Sequence, residues 1–250
     1  MPFATLTVVA LFFVAAFAPM GLGQGASAPR LGSVDAPAEV TLLSGGARKV
    51  PITVHVADRG AGLASIEVEL IKHGRTYAAV DLEPGNDPLV WTGNLSLKHT
   101  TPAGLYRLET VASDGVRGMH ALSQDVEILP LAALGTLETS VSFGETGPNG
   151  WLGPAKVTYR NLGNVPLAVA LTASPFIHED GDAEIMPEHL EVRVGGDPLG
   201  RAGEPITLAP LSVGSGGVLE LWLYVPSGSS QYVPPGEYTG TVDLSSEGVS

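Results

Sequence analysis

The sequence predicts an all-β chain, with two tandem β-sandwich domains behind an N-terminal signal segment. Three observations carry this reading. Glycine (32) and proline (20) are abundant among the 250 residues while aromatics make up only 6%, a balance that favours many short strands joined by turns over long helices. Runs that alternate apolar with polar residues, or that are rich in β-branched residues, recur at regular spacing from about Ala36 onward. A long uncharged apolar run opens the chain and gives way at once to "GQGASAPR", the order of an export signal.

That leader comes first along the chain. Phe3 to Leu22 carries no charge, the apolar stretch from Leu6 to Phe17 has the length of a secretory h-region, and Gly21 and Gly23 suit cleavage near Gln24. No Lys or Arg precedes it, and the whole run is nearly long enough to span a bilayer. Residues 1–28 therefore read as a signal peptide or, uncleaved, as an N-terminal membrane anchor. Every later apolar run is broken by charge, glycine or proline, so membrane contact is expected only through this segment. The body is expected outside the cytoplasm, secreted or at the cell surface.

Charge and cysteine narrow the chemistry. The net charge is −13, from 13 basic and 26 acidic residues. A phosphate-backbone binder needs clustered Lys and Arg to neutralise phosphates, so nucleic acid is excluded as a partner. From Gly135 onward there are 14 acids and 4 bases, net −10, against net −3 before it; the two halves present different surfaces. The absence of cysteine excludes disulfides, thiolate metal sites, cysteine nucleophiles and a lipid-anchoring cysteine. Stability is expected to come from packing alone.

The first sandwich is placed at 36–130. Seven candidate strands, "AEVTLL", "VPITVHVAD", "ASIEVELIKHG", "TYAAVDLE", "PLVWTGNLSL", "GLYRLETVASD" and "ALSQDVEIL", alternate with turn-forming stretches such as "RGAG" and "EPGND". In "IEVEL", Ile66, Val68 and Leu70 share one face and Glu67 and Glu69 the other, so one side of the sheet packs while the other stays wet. The order "VADRGAGLASIEVEL", "GNDPLVWTGNLSL", "TPAGLYRLETVASDGVRG" resembles the immunoglobulin-like or fibronectin-type modules of microbial secreted and surface proteins. The resemblance implies a β-sandwich in which Tyr106 forms a tyrosine corner, its ring buried and its hydroxyl returning to the backbone.

A short apolar linker, residues 131–136, leads to the second sandwich at 137–246. In "VTYRNLGNVPLAVALTA" (157–173), Val157 and Tyr159 share a face, Gly163 offers a positive φ for a sharp reversal, and Val165, Leu167, Val169 and Leu171 alternate with smaller residues. The stretch reads as two strands joined by a tight turn. Pro166 has no N–H for a ladder, so the second strand is expected to begin at a sheet edge or at its non-bonding side. In "GGVLELWLYVPSG", Leu219, Leu221, Leu223 and Val225 point one way and Glu220, Trp222 and Tyr224 the other. Together with "PPGEYTGTVDL", these motifs resemble sandwich modules that recur in large archaeal and bacterial surface proteins, which implies export and architecture but no single activity. "PAGLYRL" (102–108) and "PPGEYTG" (234–240) look like one device used twice, a Pro-Gly turn feeding a strand whose tyrosine packs inward.

Candidate sites are few. Trp222 and Tyr224, two residues apart on one strand face, form a stacking platform for a sugar ring, or else a pair covered by a neighbouring element. Asp58 and Asp114 end two strands and are candidates to hold calcium with carbonyl oxygens, against the alternative of Asp side chains bonding their own turns. The loop "IHEDGDAEIMPEHLE" offers Asp180, Asp182 and Glu184 as further calcium ligands. Ile185 stands where a calcium-binding helical-hairpin loop needs glycine, so only a different geometry would serve, and a solvated insertion is the alternative. His178 and His189 bracket that loop, but their spacing matches no short-range zinc pattern. "NLS" at Asn94 matches the N-glycosylation sequon. Neither a nucleophile elbow nor a phosphate-cradling glycine loop is recognisable.

The function this predicts is a non-enzymatic exported module of structural or adhesive type, at the cell surface or in the extracellular space. It needs no cofactor beyond a structural calcium ion, and its partners are other surface proteins or polysaccharide. Two alternatives stand beside it: a carbohydrate-binding module using the Trp222 and Tyr224 face, and a subunit that assembles by strand exchange at the proline-led edge near Val165.

Overall fold

The computed structural model describes residues 28–60, 62–116, 119–136, 140–143, 150–181, 183–226 and 236–249. The leader, Asp182 and the Pro234–Pro235 pair lie outside them. The described chain is all-β, and its only helical turn is a single 3₁₀ turn at Pro187–His189. None of its helices is long and apolar enough to cross a membrane.

The first half supplies nine strands: β1 (Arg30–Asp35), β2 (Glu39–Val40), β3 (Ala47–Asp58), β4 (Ser65–Lys72), β5 (Arg75–Asp81), β6 (Glu83–Pro84), β7 (Val90–Lys98), β8 (Gly104–Ser113) and β9 (Met119–Ile128). They form two sheets, ordered β1-β3-β7-β6 and β2-β9-β8-β4-β5. All neighbours are antiparallel except β2 and β9. Period-two patterning decides which side is buried: Ile52 and Val54 of β3 and Leu95 and Leu97 of β7 meet Ile66, Val68 and Leu70 of β4 and Leu108 of β8 in one core. Each such side chain contributes about 1.5–3 kcal/mol on burial. Tyr106 is buried in this core, and its hydroxyl donates to the Pro102 carbonyl at 2.7 Å, the arrangement the sequence predicted. Its ring meets Tyr77 edge-on at 5.2 Å, and the Lys72 ammonium lies 4.9 Å from its centroid.

The second half supplies β10 (Leu134–Thr136), β11 (Ser140–Phe143), β12 (Trp151–Asn161), β13 (Leu167–Ala173), β14 (Phe176–His178), β15 (Glu184–Ile185), β16 (Leu190–Val194), β17 (Asp197–Arg201), β18 (Ile206–Thr207), β19 (Gly216–Tyr224) and β20 (Tyr238–Gly248). One sheet is ordered β10-β12-β19-β16-β17; the other is β15-β14-β20-β13-β18, with β11 also on β20. A separate core fills the space between them, built on Val157, Leu167, Val169, Leu171, Leu219, Leu221, Leu223 and Tyr238. Tyr238, like Tyr106, packs inward and is 1% exposed.

Two expectations for residues 157–173 give way. The segment is not a hairpin: β12 pairs with β10 and β19, whereas β13 belongs to the opposite sheet and pairs with β20 and β18. Nor is β13 an edge. β20 runs along its whole length on one side, and Thr207, Ile206 and a bridge from Leu211 occupy the other. Pro166 needs no ladder N–H because it precedes the strand, and its carbonyl accepts the Val249 N–H at 2.9 Å. Gly163 is required by close approach and not by a positive φ, since a Cβ there would lie 2.0 Å from the Leu131 carbonyl oxygen.

Candidate functional site

Among the described residues of the second half, the outer face of β12, β19 and β16 carries Trp151, Trp222 and Tyr224. With Leu219, Leu221 and Leu223 fully buried, the pleat turns Glu220, Trp222 and Tyr224 outward, as the alternation predicted. Antiparallel register sets Trp151 opposite Tyr224, Lys156 opposite Glu220, and Glu191 opposite Trp222. A bulge between Leu152 and Ala155 adds the residue that lets Trp151 and Lys156 share this face despite their odd separation. Gly153 makes the bulge feasible: its φ is 125°, and a Cβ there would stand 2.6 Å from the Leu221 carbonyl oxygen.

The rings have different environments. Trp151 is 43% exposed, and its ring lies 5.2 Å from that of Tyr224, tilted by 51°. His189, at the end of the 3₁₀ turn, sits 6.3 Å from the same tyrosine. Trp222 is covered. The Arg193 guanidinium lies 5.2 Å from its centroid, held by an ion pair in which Nε donates to Glu191 Oε1 at 2.5 Å, so a cation–π contact occupies the ring. Trp222 Nε1 and His189 Nδ1 are shielded from solvent with no hydrogen-bond partner among the described residues. The predicted pair thus shares a face, and the most exposed ring beside Tyr224 is Trp151. It escaped the sequence reading because it opens a strand some seventy residues earlier, and only the register joins the two.

The calcium candidates fall into separate places. Asp58 and Asp114 do lie at one end of the first sandwich, where β3 and β8 finish. Each carboxylate serves its own turn, however: Asp58 Oδ1 accepts the Gly60 N–H at 2.9 Å and Asp114 Oδ1 the Val116 N–H at 2.8 Å. Asp180 is exposed, its backbone N–H donating to His178 Nδ1 at 3.4 Å, and Glu184 begins β15 as an exposed residue. His178 is buried against Tyr238, 5.2 Å between centroids, whereas His189 neighbours Tyr224. Among the described residues no three His, Asp or Glu side chains converge. Asn94 is exposed on β7 opposite Pro51, on the rim of a shallow concavity of about 540 Å³ shared with Thr53, Asp81, Glu83 and Thr92.

Titration is altered mainly in the cores. Burial, with a smaller contribution from Tyr77, pushes the Tyr106 hydroxyl up to about 12, and burial likewise raises Tyr159.

No family model matches this chain, and no curated protein does. Among solved structures it is similar to a secreted serine protease, VesC, from Vibrio cholerae, at 13% identity over 87% of this chain, with a TM-score of 0.24. It spans about half of that protein, 51% of its length. A structure described as carbohydrate-binding modules of a β-sandwich superfamily with promiscuous specificity is 9% identical over 89% of this chain and 99% of its own, TM-score 0.30. A Salmonella alpha-2-macroglobulin mutant is 14% identical over 90% of this chain and 15% of its own, TM-score 0.31. At these scores none of the three bears on function, which is left to the chain's own surface.

Proposed function

We propose that the chain is a non-enzymatic module exported to the cell surface or extracellular space. Its two immunoglobulin-like sandwiches, built on the strands of residues 30–128 and 134–248, act by presenting a fixed surface to a structural or adhesive partner. The observation that carries the reading is Trp151, a large aromatic left 43% exposed and packed against Tyr224 at 5.2 Å. A ring displayed on a flat sheet face is a contact residue in waiting, since burying it on a partner removes a large apolar area from water.

The partner class this face suits best is polysaccharide. A sugar presents a flat C–H face that stacks on the Trp151 ring, while Lys156, Glu220 and Tyr224 on the same face offer donors and acceptors to its hydroxyls. Trp222, half-buried on the same face with the Arg193 guanidinium 5.2 Å from its centroid, flanks the site. Binding to a polysaccharide panel tests this. Trp151→Ala is expected to weaken retention at least about tenfold, near 1.4 kcal/mol, with Tyr224→Ala close behind. If Trp151→Ala binds the panel as the parent does, polysaccharide is rejected and a surface protein is left as the partner.

A further inference from the structure

The loop that failed as a hairpin turn ties the two sandwiches together. Asn164 reaches residues 129–131 three times: its N–H donates to the Leu131 carbonyl at 2.9 Å, its Oδ1 accepts the Leu131 N–H at 2.6 Å, and its Nδ2 donates to the Leu129 carbonyl at 3.1 Å. Leu162 donates its N–H to the Ala133 carbonyl at 2.8 Å and accepts the Gly45 N–H at 3.0 Å, a direct bond between the halves. Its side chain lies over Gly45 and Gly135, where added Cβ atoms would come within 3.5 and 2.5 Å of it. Asn161, wholly buried, shapes this loop from inside, donating to the Val165 and Leu211 carbonyls at 2.9 and 3.1 Å and accepting the Gly163 N–H at 2.9 Å. On the first sandwich the receiving surface is also braced, since the His99 N–H donates to the Gly46 carbonyl at 2.9 Å and joins the β2–β3 and β7–β8 turns. Flexible linkers leave tandem domains free to move, but this one has its backbone groups bonded on both sides.

Strand direction then fixes what faces where. β3 leaves the Gly45 turn and ends at Asp58, where β1 begins with Arg30 paired to it. β12 runs the other way into the clamp, starting from Trp151 and ending at Asn161. The leader-proximal end of the chain and the Trp151–Tyr224 pair are therefore at opposite ends of their sandwiches, each a strand-length from the clamp. With 12 residues in β3 and 11 in β12, each step is roughly 35–40 Å at about 3.3 Å per residue. The His178–Asp180 loop lies at the same outer end, because His178 pairs with Tyr238 while Leu167 pairs with Gly248 at the clamp.

We propose that residues 161–164 are an inter-sandwich clamp that makes the chain one rigid arm, holding the Trp151–Tyr224 end away from the end that leads to the N-terminal segment. The clamp stands independently of what the aromatic face binds. Because the chain has no native cysteine, spin labels at Glu67→Cys on β4 and Lys156→Cys on β12 report the distance between the halves without background. The parent is expected to give a single narrow distance distribution by pulsed electron resonance. Asn164→Ala, and separately Leu162→Ala, are expected to broaden it, and to admit protease within residues 129–133, while circular dichroism keeps the β signal. If Asn164→Ala does not fold, Leu162→Ala decides alone, since it leaves every backbone bond of the clamp in place. A broad distribution in the parent, or an unchanged one in the folded variants, overturns the clamp.

Discussion

Single residues here are decided by what their neighbours demand. Tyr106 is buried for its ring, and its hydroxyl satisfies the Pro102 carbonyl at 2.7 Å. Tyr106→Phe leaves that carbonyl without its partner and is expected to cost about 1–2 kcal/mol in denaturant unfolding. The same residue sets an alkaline limit. Its pKa rises from 10.0 unfolded to about 12 folded, so the folded state holds a proton that the unfolded state has lost. The stabilisation is complete below pH 10 and is lost as pH climbs through about 12. A stability profile over that window is expected to fall less steeply for Tyr106→Phe, Tyr159 supplying the remaining slope; equal slopes would place the loss elsewhere. Asp58 and Asp114 each accept a turn N–H. Asp58→Ala and Asp114→Ala are expected to lower stability by about 1 kcal/mol each, by the same amount in calcium and in chelator. A loss seen only with calcium would return them to ion binding.

At the scale of elements, the β12 bulge matters most. Gly153 combines a φ of 125° with a Cβ position 2.6 Å from the Leu221 carbonyl oxygen, so alanine is strained in conformation and obstructed in space. Gly153→Ala is expected to destabilise the second sandwich by about 2 kcal/mol or more and to weaken polysaccharide retention in step with Trp151→Ala, because the bulge aims Trp151. Retention at the parent level in a folded Gly153→Ala protein would show that the bulge does not position the ring. Between β14 and β15 the described acidic residues, Asp180 and Glu184, are both exposed.

For the whole molecule, two cores with no residue in common set the response to core mutation. Leu221 is fully buried in the second core, and Leu221→Ala is expected to cost about 2–5 kcal/mol. Hydrogen exchange is expected to show that loss in β12, β13, β19 and β20 while the amides of β4 and β8 keep their protection. Equal loss in both halves would mean that the clamp couples their unfolding as well as their orientation. The net charge of −10 from Gly135 onward lies on the half that carries the aromatic end, so salt is expected to ease approach of any acidic partner to that end more than to the other.

The sequence by itself determined the all-β class, the long strands β3, β4, β7, β8, β9, β12, β13 and β19, and the inward faces of β4 and β19. These follow from period-two burial and turn chemistry, which are local in the chain. Only the tertiary structure decided the rest. "NLGNVP" carries the same glycine and proline signals whether it joins two strands of one sheet or crosses between sheets, and nothing within it reveals that Leu131 and Gly45 will lie against it. Trp151 and Tyr224 become neighbours, and Trp222 falls under Arg193, through register across strands distant in sequence. Packing between remote segments chose which glycine was needed for space, which aromatic stayed in water, and how one sandwich sits on the next.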